Sequence, residues 1–139
     1  MSWEFGAKGN GEKMEESGRM AEDDCFDFEK LIVYQKALIF IALVYSAVEC
    51  FPVIERFALA DQFRRAATSI ALNIAEGTGG SAPEFRRFLR ISRRSIRECV
   101  AIMTIARDKS YLDHSKYNGL RKKTVELSRM TSGLINSLS

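Results

Sequence analysis

Between residues 81 and 108 the chain carries one helical period without a break. Ser81-Ala82-Pro83-Glu84 opens it as a capping box, with proline in the first turn, where its missing N–H goes unneeded. At 100° per residue, Phe85, Phe88, Leu89, Ser92, Ile96, Cys99 and Met103 gather on one arc. Arg86, Arg87, Arg90, Arg93, Arg94 and Arg97 gather on the opposite one, within roughly 120°. This is an amphipathic helix that must lay its apolar side against other elements. The rest of the chain agrees. It has only two prolines and no run that alternates apolar and polar residues as a strand would, so the fold class is all-α.

Three further helices are expected. The first spans about 28–50; between Leu31 and Val48 its only polar residues are Gln35, Lys36 and Ser46, and Phe51-Pro52 ends it. Its unbroken apolar run, 37–45, is too short for a bilayer, which needs about 20 residues, so a membrane helix is rejected. Its apolar surface still wraps most of the way round, more than a monomeric bundle buries, and this points to a second covered face. The second helix spans about 57–76, with Gly77 and Gly79-Gly80 as stop and turn. A loop at 110–115 leads to the fourth, about 116–137, with Leu120, Leu127 and Leu134 at heptad spacing. Four helices on short loops make an antiparallel up-down four-helix bundle the economical architecture.

The 139 residues suit one folded domain, 27–139, preceded by a leader at 1–26 that is read as flexible and acidic. Met14 and Met20 leave open a start further in. Residues 1–27 hold three basic and eight acidic side chains, net −5, whereas 28–139 hold eighteen and ten, net +8. The leader lacks the apolar core of a signal peptide. Three cysteines without C-x-x-C spacing (Cys25, Cys50, Cys99) suggest reduced thiols in a cytoplasm. A single histidine, His114, placed in a loop, excludes sites that need two; no metal or cofactor is expected.

Two faces carry information. The six arginines form a ridge with no carboxylate between Glu84 and Glu98. Guanidinium forks match phosphate oxygens, which makes the ridge a candidate nucleic-acid surface; a solvated face, or one paired with a neighbouring subunit, is the alternative. No aromatic residue interrupts the arginines to stack a base, so any binding should tolerate sequence. On the second helix, Gln62, Arg65, Ser69, Asn73 and Glu76 line one flank of an apolar face. They are read as a hydrogen-bond ladder between helices or subunits rather than an active site, because no nucleophile–base pair or metal-ligand set accompanies them. Small residues Ala66, Ala67, Ser69 and Ala71 would let a neighbouring helix approach.

Several of these residues resemble a known family. Phe51-Pro52, Gln62-Phe-Arg-Arg-Ala-Ala and Ser69-Ile-Ala-Leu-Asn-Ile-Ala-Glu-Gly77 are similar to the small proteins encoded in intervening sequences of bacterial 23S ribosomal RNA genes. So are Phe28-Glu-Lys-Leu31 with Gln35, Glu84-Phe-x-x-Phe-Leu89 and Ser95-x-x-Glu98. The resemblance covers about residue 26 to the C-terminus. It implies an up-down four-helix bundle in a ring-like homo-oligomer, commonly a pentamer, with no enzymatic activity. A related accessory protein of diversity-generating retroelements works with nucleic acid. The chain departs from the pattern at Arg94, where glycine is usual, at Gly79-Gly80, which lacks a basic residue, and at Val53-Ile54, which replaces polar residues.

The expectation is therefore a non-enzymatic cytoplasmic homo-oligomer that binds RNA or DNA through its basic surface without strong sequence preference, and takes no small-molecule substrate. A protein-binding scaffold with no nucleic-acid role is the alternative.

Overall fold

The computed structural model describes residues 24–139. The leader, apart from its last residues, and the alternative starts at Met14 and Met20 lie outside the described residues. Four α-helices follow in order: α1 Ile32–Ala47, α2 Leu59–Thr78, α3 Ala82–Asp108 and α4 His114–Ser137. Among the described residues there is no strand of regular length. α1 packs on α2, α2 on α3, α3 on α4 and α4 back on α1, with α2–α3 the most extensive pair. Cross-contacts fix the directions. The end of α2 lies at the start of α3 through Gly77 and Phe85, the start of α3 reaches the C-terminus through Arg86 and Leu138, and the start of α4 meets the end of the first helical segment through Lys116 and Cys50. Neighbours run antiparallel: the chain is an all-α four-helix bundle.

Its core is a continuous apolar cluster in which Phe40, Phe63, Ile70, Ile74, Leu89, Cys99 and Met103 are completely buried. Burial pushes the Cys99 thiol up to about 12, so it acts as a small apolar filler. The capping box forms as expected: Ser81 Oγ accepts from the Glu84 N–H, and Glu84 reaches back to the Ser81 N–H. Those bonds, with Arg87 nearby, hold the Glu84 carboxyl below the usual range.

Four boundaries differ from expectation. The segment before α1 is a 3-10 turn, Asp27–Lys30, and only Ile32 begins the α-helix. α1 gives way at its other end to another 3-10 turn, Val48–Cys50, ahead of Pro52. His114 is not in the loop but opens α4, because Asp113 caps the helix by accepting from the Lys116 N–H at 2.7 Å. Gly77 does not stop α2, which continues to Thr78. Gly77 is buried instead, and permits the close approach of α3.

α1 leaves Leu38, Ile39, Leu43 and Tyr45 exposed on the side away from the core. By length and composition alone the stretch Ile32–Cys50 is long and apolar enough to cross a membrane, although it carries Lys36 and Glu49. Its packing is that of a bundle helix. Ala37, Phe40 and Val44 are fully buried, and Lys36 donates to Glu126 of α4 at 2.9 Å.

Candidate nucleic-acid interface

α3 projects its six arginines in two groups. Arg87, Arg90, Arg94 and Arg97 are exposed, and Arg87 lies over its neighbour Phe88 at 4.6 Å from the ring centroid. Arg86 and Arg93 sit at the edge of the arc nearest α4 and turn into the seam. Arg86 donates to the Leu138 carbonyl and Arg93 to Ser132 Oγ at 3.2 Å, leaving both half-buried. The ridge is thus four exposed guanidiniums beside two that clamp α3 to α4. Arg93 in particular is not on the open solvent side.

Of the four, Arg87 stands near the Glu84 carboxylate; carboxylates do not neutralise the other three. Arg90, Arg94 and Arg97 hold no ion pair among the described residues. The acidic residues of α3 are turned to other partners: Glu84 to its cap, Glu98 to Gln62 of α2, and Asp108 to Arg107.

The polar flank of α2 divides as well. Ser95 Oγ donates to Ser69 Oγ at 2.9 Å, Asn73 Nδ2 reaches the Ser69 carbonyl at 2.8 Å and its hydroxyl at 3.0 Å, and Gln62 Nε2 meets Glu98 Oε2 at 3.4 Å. Ser92 adds a buried bond to the Ile70 carbonyl at 2.9 Å. Ser69, Gln62 and the Ile70 carbonyl thus bond across to α3, whereas both Asn73 bonds stay within α2. Arg65 and Glu76 take no part in these bonds. Both are exposed, and Arg65 meets only Asp61 at 3.8 Å. Gln62, Arg65 and Ser69 do border an open cleft of about 380 Å³ with Ala58, Asp61, Ala66 and Glu98, but Glu76 lies outside it. No group of three His, Cys, Asp or Glu side chains among the described residues could hold a metal ion.

A basic surface that the helical period of α3 could not reveal lies on α4. Arg121, Lys122, Lys123 and Arg129 are all exposed there. The excess of +8 over residues 28–139 was the signal; assigning it to helices required their boundaries.

With this geometry fixed, comparison with known proteins decides the family. The model of the 23S rRNA-intervening sequence protein family matches residues 29–133. The chain belongs to that family. A crystal structure from Bacteroides thetaiotaomicron, described as a protein with unknown function from the S23 ribosomal protein family, superposes with a TM-score of 0.68. It is 21% identical, and the match covers 75% of this chain and 98% of that one, which supports the fold. No protein with a curated description matches significantly. The family membership accords with the resemblance read from the α2 and α3 motifs.

Proposed function

We propose that this member of the 23S rRNA-intervening sequence protein family is a non-enzymatic homo-oligomer in the cytoplasm, a pentamer by family resemblance, that binds RNA or DNA through phosphate contacts without strong sequence preference. The observation that carries the binding reading is the row of exposed arginines on α3, Arg90, Arg94 and Arg97 foremost, with no carboxylate paired to it. Like charges three and four residues apart destabilise an isolated helix by about 0.2–0.5 kcal/mol per pair, an unfavourable term that a phosphate backbone would reverse. Oligomerisation is supported by the exposed apolar side of α1. In the ring of helix contacts α1 lies diagonally opposite α3, so a subunit contact there leaves the arginines open.

The test is fluorescence anisotropy with labelled RNA and DNA of several unrelated sequences at low salt. Wild-type protein should bind all of them comparably. Arg90→Glu/Arg94→Glu/Arg97→Glu should abolish binding while melting and oligomer size stay unchanged, since these side chains hold nothing in the bundle. Absence of binding by the wild type at low salt would leave the scaffold reading, in which a protein partner supplies the counter-charge.

A further inference from the structure

The whole net charge of residues 28–139 resides on two adjacent helices. α3 and α4 carry twelve basic and four acidic side chains, net +8, and the remainder of that range balances at six and six. α3 and α4 pack directly against each other. The excess therefore lies on the α3–α4 side of the bundle rather than in a ring around it.

The fourth carboxylate of the pair behaves like the other three. Glu126 turns to Lys36 on α1, whose ammonium holds it below the usual carboxylate range. The seam between the helices is closed by the basic residues themselves. Arg86 and Arg93 grip the C-terminal half of α4, Arg107 lies 4.4 Å over the Tyr117 ring, and Arg121 donates to the Tyr117 hydroxyl at 3.0 Å. α3 and α4 are thereby locked as a pair. Arg90 and Arg97 are left exposed on α3, Lys122 and Arg129 on α4.

We propose that the phosphate-binding surface is this two-helix face and that its ligand is double-stranded nucleic acid. The proposal rests on the nucleic-acid reading above and adds α4 and the strandedness of the ligand. Two features favour a duplex. Packed helix axes lie about 8–10 Å apart, and long side chains splay further, which puts the two cation rows at a separation comparable to the major groove of B-form DNA, about 12 Å wide. Along the helix, Arg87 to Arg97 covers about 15 Å at a rise of 1.5 Å per residue, enough to follow several phosphates. Sequence-tolerant single-strand binders, in contrast, stack bases on aromatic platforms. Among the described residues the exposed large aromatic side chains are Phe26, Tyr45 and Phe57, and none is on α3 or α4.

Full-length protein is titrated by anisotropy into a labelled 24-nucleotide RNA strand, the same strand in duplex RNA, and a duplex DNA of equal length. Expected are at least a tenfold preference for duplex over single strand at equal low salt and at least a tenfold loss of duplex affinity in Lys122→Glu/Arg129→Glu. Both side chains are free of bonds within the bundle, and unchanged circular dichroism melting confirms that the fold is kept. A wild type that binds single strands as tightly as duplexes, or an α4 variant that binds as wild type while the α3 triple variant does not, would overturn this inference and leave the nucleic-acid reading standing. No binding to any of the three probes overturns both.

Discussion

Gly77 and Phe85 meet at a distance that only glycine allows: a Cβ at position 77 would stand 2.7 Å from Phe85 Cδ1 and 2.8 Å from Phe88 Cβ. The glycine is buried within α2, and the contact sets how closely α2 and α3 converge before their turn. Gly77→Ala gains helix propensity but forces a shift in a packed core, so a net loss of about 1–3 kcal/mol is expected. Urea denaturation reads this directly; an unchanged midpoint would show that the helices can separate there without strain.

The ladder of small hydroxyls behind that contact gives a graded pair of expectations. Ser92→Ala removes the hydroxyl that donates to the Ile70 carbonyl in a fully buried setting, and should cost about 1 kcal/mol. Glu76→Ala, though part of the same stripe in sequence, changes an exposed side chain with no bond and should stay within about 0.5 kcal/mol. Equal effects of the two would mean that Glu76 is covered by another subunit.

How far the sequence reaches is visible in these residues. The spacing of Ser69, Asn73 and Gln62 predicts a polar edge, and a helical wheel places Glu76 and Arg65 on the same edge. Which members find a partner depends on where the opposite helix lies, and the wheel of α2 alone does not contain that helix. Arg93 is the same case on α3: its angle differs little from that of Arg97, yet it bends to Ser132 because α4 is there to receive it. Gly77 misleads for a different reason. Glycine is both a helix stop and a device for close packing, and composition cannot separate the two uses. The Ser81–Glu84 box, which depends only on neighbours in the chain, is legible in the sequence, whereas the Asp113 cap that opens α4 is not.

α3 ends with Ser110 at φ 63°, a left-handed conformation that favours glycine. The Tyr111 N–H donates to the Ala106 carbonyl at 2.8 Å and the Ser110 N–H to that of Arg107 at 2.9 Å, a Schellman ending. Ser110→Gly relieves the backbone while keeping both bonds, and should stabilise by about 0.5–1 kcal/mol, a rise of a few degrees in Tm. A lower Tm would mean that the serine side chain contributes something its geometry does not display.

Acid should loosen the α1–α4 contact. The Glu126 carboxyl is held below its ordinary value by the bond from Lys36. A lowered folded-state pKa contributes stability above the unfolded value, about 4.3 for glutamate, and that stability is lost as pH falls through the folded value. Glu126→Gln should therefore melt below wild type at pH 7 and converge with it at pH 3. The pair is partly exposed, so the difference should be small and should shrink further in salt. A gap that persists at pH 3 would point to packing rather than charge.

The apolar side of α1 gives the sharpest expectation about assembly. Leu38, Ile39 and Leu43 are 44%, 53% and 39% exposed, whereas Ala37, Phe40 and Val44 on the other side of the same helix are fully buried. Charges placed at the exposed positions touch no core atom, so Ile39→Lys/Leu43→Lys should leave the helical signal and the monomer's stability intact. The double substitution should nevertheless dissociate the oligomer, because a buried unpaired ammonium in a subunit contact costs several kcal/mol. Light scattering at micromolar concentration reads the mass. Wild type should run as a multiple of 15.7 kDa and the variant as a single copy. A wild type that is already monomeric would refute assembly outright, and a variant of unchanged mass would move the contact to another exposed apolar cluster, Val53, Ile54 and Phe57 at the turn before α2.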